Sequence, residues 1–293
     1  MKRFGDLFLT ALAPTLWGST YLVTTELLPP DRPLLAGALR ALPVGLALVA
    51  IFRRLPQGVW WWRMLVLGTL NIGLFFALLF VAAYRLPGGV AATLGAVQPL
   101  LVALFAGTVL AQKLSLATLA AGVVGIVGVA LLVLGSGVRL EAWGVAAALA
   151  GAFSMAAGTV LTRLWVNTVP VLLVTGWQLV AGGLLLSALS PVFEGQVPTL
   201  SSENVVGYSY LGLIGGGVAY TLWFRGIGKL GTSVAFLGLL SPVVATVLGY
   251  AVLGQQLGWR QGLGAVLVLG SVLAGQLVGQ QELLGSHGKK RGC

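Results

Sequence analysis

Apolar runs about 20 residues long, separated only by short loops, leave this chain few folds to choose from. In lipid no water satisfies the backbone N–H and C=O groups, so a spanning segment must be a helix or part of a closed barrel. A helix crosses in about 20 residues and a strand in about 10, and these runs have the helical length. Ten can be placed, near residues 7–28, 34–52, 62–83, 90–111, 116–134, 142–161, 171–190, 205–225, 233–253 and 258–278. At 8% charged residues, against about 25% in soluble domains, the chain has no soluble domain of useful size. The expected fold is an all-α membrane protein of ten transmembrane helices. The first run follows Lys2 and Arg3 as a signal peptide would. It is long enough to span and lacks a small-x-small cleavage site, so it reads as helix one.

The chain also repeats itself. Aligning Gly88 with Gly231 sets Pro99 on Pro242, Gln112 on Gln255 and Leu114 on Leu257. Five helices per copy make the second copy enter the bilayer from the opposite side, so the repeats are expected to be inverted, an arrangement common in transporters. The units are then 1–138 and 139–282, with 283–293, including His287, as a disordered cytoplasmic tail. Lys and Arg set the orientation. Lys2, Arg3, Arg53, Arg54, Arg63, Lys113, Arg163, Arg225, Lys229, Lys289, Lys290 and Arg291 share one side, and only Arg32, Arg85, Arg139 and Arg260 the other. Both termini are therefore expected in the cytoplasm. The net charge of +10 then reflects topology and gives no reason to expect a nucleic-acid partner. The one cysteine, Cys293, ends the chain, so no disulfide framework, metal cluster or cofactor is expected. A duplicated chain already carries two halves, so a monomer is expected.

The acids are Asp6, Glu26, Asp31, Glu141, Glu194, Glu203 and Glu282, and none falls at the centre of an expected span. Proton-coupled carriers commonly hold such a group in the membrane; Glu26, near the far end of helix one, is the nearest candidate. The same lack argues against an intramembrane enzyme, which would need paired carboxylates, a nucleophile with its base, or a metal set. Arg40 is the charge that needs a partner, because an Arg near the centre of a span costs about 2.5–3.5 kcal/mol on insertion scales. It can snorkel outward, pair with Glu26 or bind helix-end carbonyls; alternatively its planar fork faces a cavity and takes a carboxylate or phosphate. The repeat sets Gln178 opposite Arg40, which favours a single anionic group over a dianion.

Trp60, Trp61 and Trp62 beside Arg53, Arg54 and Arg63 read as interfacial anchors. The deeper aromatics Trp17, Tyr21, Phe75, Phe76, Phe80, Trp177, Tyr220 and Trp223 either pack as core or line a cavity for flat apolar or amphipathic solutes, held by stacking and cation–π contacts. Glycines such as Gly122, Gly125, Gly128, Gly258 and Gly262 are expected at close helix contacts. Pro99 and Pro242 hold the same repeat position and are expected to kink helices four and nine as gates.

Trp17-Gly-Ser-Thr20, Ala38-Leu-Arg-Ala41 and the paired segments from Gln98-Pro99 to Leu114 and from Ser241-Pro242 to Leu257 resemble the ten-helix EamA-type members of the drug/metabolite transporter superfamily, in particular bacterial exporters of aromatic amino acids and other metabolites. The family usually ends helices four and nine with a Glu where this chain has Gln112 and Gln255. The resemblance implies a cell inner-membrane transporter with a small-molecule substrate, working by alternating access around a cavity formed by helices one to four and six to nine. The expected substrate-binding residues are Trp17, Tyr21, Arg40, Asn71, Phe75, Phe80, Gln98, Trp177, Gln178, Tyr220 and Trp223. Without a titratable relay, the expected activity is facilitated export of amino acids, aromatic or large apolar ones among them, or of related metabolites. Proton-coupled drug efflux and exchange of nucleotide sugars or sugar phosphates are the alternatives.

Overall fold

The computed structural model describes residues 2–86, 91, 94–133, 141–166, 169–253 and 258–290. Among these there is no strand, and the regular structure is helical. We number them α1 Lys2–Gly18, α2 Thr20–Leu27, α3 Pro33–Phe52, α4 Trp60–Gly68, α5 Leu74–Arg85, α6 Gln98–Val109, α7 Leu116–Val133, α8 Ala142–Trp165, α9 Val171–Phe193, α10 Ser202–Tyr210, α11 Ala219–Leu230, α12 Val234–Leu237, α13 Leu240–Leu253 and α14 Trp259–Lys290. Two π-helical segments, Thr69–Gly73 and Leu211–Val218, join α4 to α5 and α10 to α11.

Among the described residues seven helical segments are long and apolar enough to cross a membrane: Arg3–Leu27, Pro33–Phe52, Trp60–Arg85, Ala142–Trp165, Val171–Phe193, Ser202–Leu237 and Trp259–Gly279. Three further apolar helices are shorter, Gln98–Val109, Leu116–Leu132 and Leu240–Val252. Many large apolar side chains face outward, among them Leu46, Phe153, Leu184 and Val266, as lipid contact requires. The last helix continues to Lys290, so helix replaces the disordered tail expected from residue 283. Gln280-Gln-Glu-Leu-Leu284 are all good helix formers, which favours that extension of an already nucleated helix.

The helices pair with a regular exchange. α3 lies along α9, α7 along α14, α5 against α8 and α1 against α11. Small residues allow these approaches. A Cβ on Gly182 of α9 would lie 2.5 Å from the Ile72 Cβ and 2.6 Å from the Gly68 oxygen. Between α7 and α14 the close contact is Gly128 against Gly264; a Cβ on Gly262 would meet open space, so that expected contact falls two residues later. Glu194, at the end of α9, accepts from the Leu34 and Leu35 N–H groups and from the Ser190 hydroxyl (3.0 Å to Leu35 N and to Ser190). A carboxylate there answers the free donors and positive end of the α3 dipole.

Candidate functional site

Two departures from regular helix build the site. The first lies between α1 and α2, where the Ser19 hydroxyl donates back to the Leu16 carbonyl (2.8 Å) and is 2.8 Å from the Tyr210 hydroxyl. Such back-bonding loosens a helix. Gly18 lets the loosened turn press on α13, since a Cβ there would meet the Val244 Cβ at 2.6 Å. The break leaves Trp17, Thr20 and Tyr21 facing inward.

The second departure is the π-helical segment Leu211–Val218. Its i→i+5 pattern widens the helix, and such segments concentrate at functional sites. The Gly215 carbonyl accepts from Arg40 Nη2 (3.2 Å) and from Trp17 Nε1 (2.9 Å). Glycine is required nearby, because a Cβ on Gly216 would lie 2.9 Å from the Arg40 carbonyl oxygen. Arg40 is 2% exposed, and its guanidinium stands 4.7 Å from the Phe76 ring centroid. Nη1 donates weakly to the Thr20 hydroxyl at 3.4 Å, and Nε has no partner. The carbonyl-binding and cavity-facing alternatives for Arg40 thus both hold, whereas Glu26 is exposed and makes no ion pair with it.

Arg40 is one wall of a cavity of about 130 Å³. Trp17, Tyr21, Phe75, Gln98, Tyr220 and Trp223, all expected as binding residues, line it together with Pro99 and Pro242. The Trp17 ring lies 4.9 Å from Tyr220 and 5.2 Å from Trp223. Thr20, Met155 and Ser241 also line it and were missed. So was the floor formed by Ala148, Gly151 and Ala152, which with Met155 recur at i, i+3, i+4 and i+7 on one face of α8. That spacing was the available signal.

Four expected binding residues lie outside the cavity lining. Asn71 and Gln178 are fully buried and bind each other: Asn71 Nδ2 donates to Gln178 Oε1 (2.7 Å) and to the Thr162 hydroxyl (3.1 Å). Each supplies one partner that a polar group needs in an apolar bundle, while Asn71 Oδ1 and Gln178 Nε2 stay without one. Phe80 packs edge-on against Phe76 at 6.3 Å as core. Trp177 donates to the Arg54 carbonyl (2.8 Å) among Met64, Leu67 and Leu173, about 9 Å along α9 from its start. Its partner Arg54 lies just past the end of α3, and no residue of α9 lines the cavity. The prolines also differ from expectation. Pro99 and Pro242 lie in the first turns of α6 and α13, where a missing N–H costs nothing, so each begins a helix after a break instead of kinking one.

Polar contacts tie the bundle at both ends. At one, Asp6 pairs with Arg225, and the Thr232 hydroxyl donates to Gln112 Oε1 at 2.9 Å. At the other, Arg85 pairs with Glu141 at 2.6 Å, and Asn204 donates to the Leu27 carbonyl at 2.8 Å. Gln255 lies outside the described residues. Among the described residues no group of His, Cys, Asp and Glu could hold a metal ion.

An all-helical membrane bundle closed around a small, largely aromatic cavity with one buried cation has the architecture of a solute carrier. The EamA-like transporter family matches residues 3–134 and again residues 142–274. Protein PecM of Dickeya dadantii is 41% identical over 264 residues, 89% of each chain. The uncharacterized inner membrane transporter YedA of Escherichia coli K12 is 30% identical, over 88% of this chain and 85% of its own. A Salmonella typhimurium protein named "Probable amino-acid metabolite efflux pump" is 27% identical, over 90% of this chain and 92% of its own. One crystal structure aligns with a TM-score of 0.79 at 22% identity, over 94% of this chain and 98% of that one, a likeness of fold alone. The chain belongs to the EamA-like transporter family, as a multi-pass membrane protein carrying two copies of the family domain.

Proposed function

We propose that this protein exports amino acids, aromatic or large apolar ones among them, or closely related small metabolites, across the inner membrane by alternating access and without a carboxylate proton relay. The observation that carries the reading is Arg40, buried in an aromatic cavity with an unpartnered Nε and no acidic residue in the lining. A guanidinium so held takes a carboxylate with geometric specificity, and a cavity near 150 Å³ is known to hold a single benzene-sized ring. The name of the Salmonella relative agrees with this substrate class. One cation and this volume disfavour nucleotide sugars and sugar phosphates, which carry more charge and bulk.

In this reading the seven longer and three shorter apolar helices are ten spans, both termini are cytoplasmic and the protein works as a monomer. The two family copies are inverted repeats. The exchanged pairings of α5 with α8 and α1 with α11 support this, as does the register of the two π-segments: carried forward by the Gly88-to-Gly231 offset, Thr69–Gly73 falls within Leu211–Val218. Alternating access exchanges the tied ends, with the breaks before Pro99 and Pro242 as hinges.

The test is flux of radiolabelled amino acids and related metabolites into liposomes containing only this protein, with and without an imposed pH gradient. The expected result is saturable flux, insensitive to the gradient and lost in Arg40→Ala. Flux that requires the gradient would overturn the relay-free mechanism, and absence of flux for every compound would overturn the substrate class.

A further inference from the structure

The charge count of the cavity goes further than the choice between amino acids and other metabolites. Of the seven acids, Asp6 pairs with Arg225, Glu141 pairs with Arg85 and Glu194 caps α3. Glu26, Asp31 and Glu203 are exposed. Among the described residues the lining therefore carries one positive charge and no negative charge. Two fully buried polar atoms of its side chains lack a partner, and both are donors: Arg40 Nε, on a side chain 2% exposed, and Trp223 Nε1, on one 1% exposed. An unsatisfied buried donor is costly and calls for an acceptor.

Resting on the export reading above, we infer that the preferred cargo is a small monocarboxylate lacking an ammonium group, such as an aromatic 2-oxo acid, and that it moves as a net anion. Both donors are closed to a water-sized group in this conformation, so its carboxylate receives Arg40 Nε and Trp223 Nε1 once the wall around Arg40 parts, and its ring lies against Trp17 and Tyr220. An α-amino acid places an ammonium beside the same carboxylate. Here that ammonium would be stripped of water near a like charge, with only neutral acceptors such as Gln98 and Thr20 in reach. Burying a charge without an opposite partner is disfavoured.

Movement of a monoanion without a co-ion carries charge, so the inside-negative membrane potential itself drives export. A potential of about 100 mV shifts the distribution of a univalent ion by about 50-fold. This supplies a driving force to a carrier that lacks a carboxylate relay.

The test uses the wild-type protein in liposomes, with a potassium gradient and valinomycin to set the potential, and with phenylpyruvate, phenylalanine and phenethylamine as cargo. The expected result is saturable phenylpyruvate flux that reverses with the sign of the potential, at least tenfold more efficient than that of phenylalanine, with no phenethylamine flux. Trp223→Phe, which keeps a ring and removes the donor, should lower apparent phenylpyruvate affinity about tenfold. Saturable phenylalanine flux that ignores the potential and exceeds that of phenylpyruvate would overturn this inference while leaving the export reading intact. Absence of flux for all three, and for the wider amino-acid panel, would overturn both.

Discussion

The two halves hold the same kind of joint and use it differently. In the second half, the π-segment Leu211–Val218 is gripped by Arg40 from the first half; in the first, Asn71 of the π-segment Thr69–Gly73 is gripped by Gln178 from the second. Arg40 and Gln178 each reach from one half to the π-segment of the other, so one framework carries two chemistries. Arg40 lines the cavity, whereas the Asn71–Gln178 pair lies outside it, held together with Thr162. The comparison teaches that a duplicated joint needs only one open copy to serve as a site. The other can spend its polarity on holding the helices together.

That contrast can be broken by substitution. The largest effect is expected from Arg40→Gln, which removes a charged donor and should raise the apparent KM in proteoliposomes about 10- to 100-fold, the range for a charge-assisted hydrogen bond. Gln178→Leu should instead leave the KM within about twofold and cost about 1–3 kcal/mol of stability, because Asn71 loses the shorter of its two side-chain hydrogen bonds in a buried place; thermal unfolding in detergent reads this directly. Equal KM effects from the two variants would erase the distinction.

The glycines sharpen it. Gly182→Ala should cost about 1–3 kcal/mol by overpacking, because its new Cβ meets backbone as well as Ile72. Gly215→Ala meets only the flexible end of Arg40, at 3.1 Å, so it should cost less stability and disturb transport more. Loss of heat stability and loss of flux, measured on both variants, would separate the halves. The smallest effects belong to the bundle ends, where Asp6→Asn and Glu141→Gln should each cost about 1 kcal/mol or less in an unfolding assay. Glu141 should matter least, because its pair with Arg85 is the more exposed.

The apolar runs and short loops made the helical membrane fold legible in the sequence, and Arg40, Trp17 and the Gln98–Pro99 segment were legible as parts of a site. The rest failed for identifiable reasons. Polar residues in a membrane must find partners, but the sequence does not say whether the partner is cargo or another side chain, so Asn71 and Gln178 were assigned to the cavity. Trp177 counted as deep within an apolar run, although its ring reaches the Arg54 carbonyl past the end of α3. Apolar patterning carries no mark of a π-turn, since one extra residue per turn leaves composition unchanged. The small residues of α8 were hidden because a cavity floor is made by what those side chains lack.

The π-segment Leu211–Val218 also acts as a phase shifter. Each extra residue in a widened turn advances everything after it by about 100° around the helix axis. The aromatic wall of Tyr220 and Trp223 owes its orientation to that advance, several residues upstream of either ring. Removing one residue from the glycine run Gly215-Gly-Gly217 would leave every aromatic in the sequence and turn their faces away from the cavity. In this carrier the length of a turn is as much a determinant of the binding site as the identity of any side chain in it.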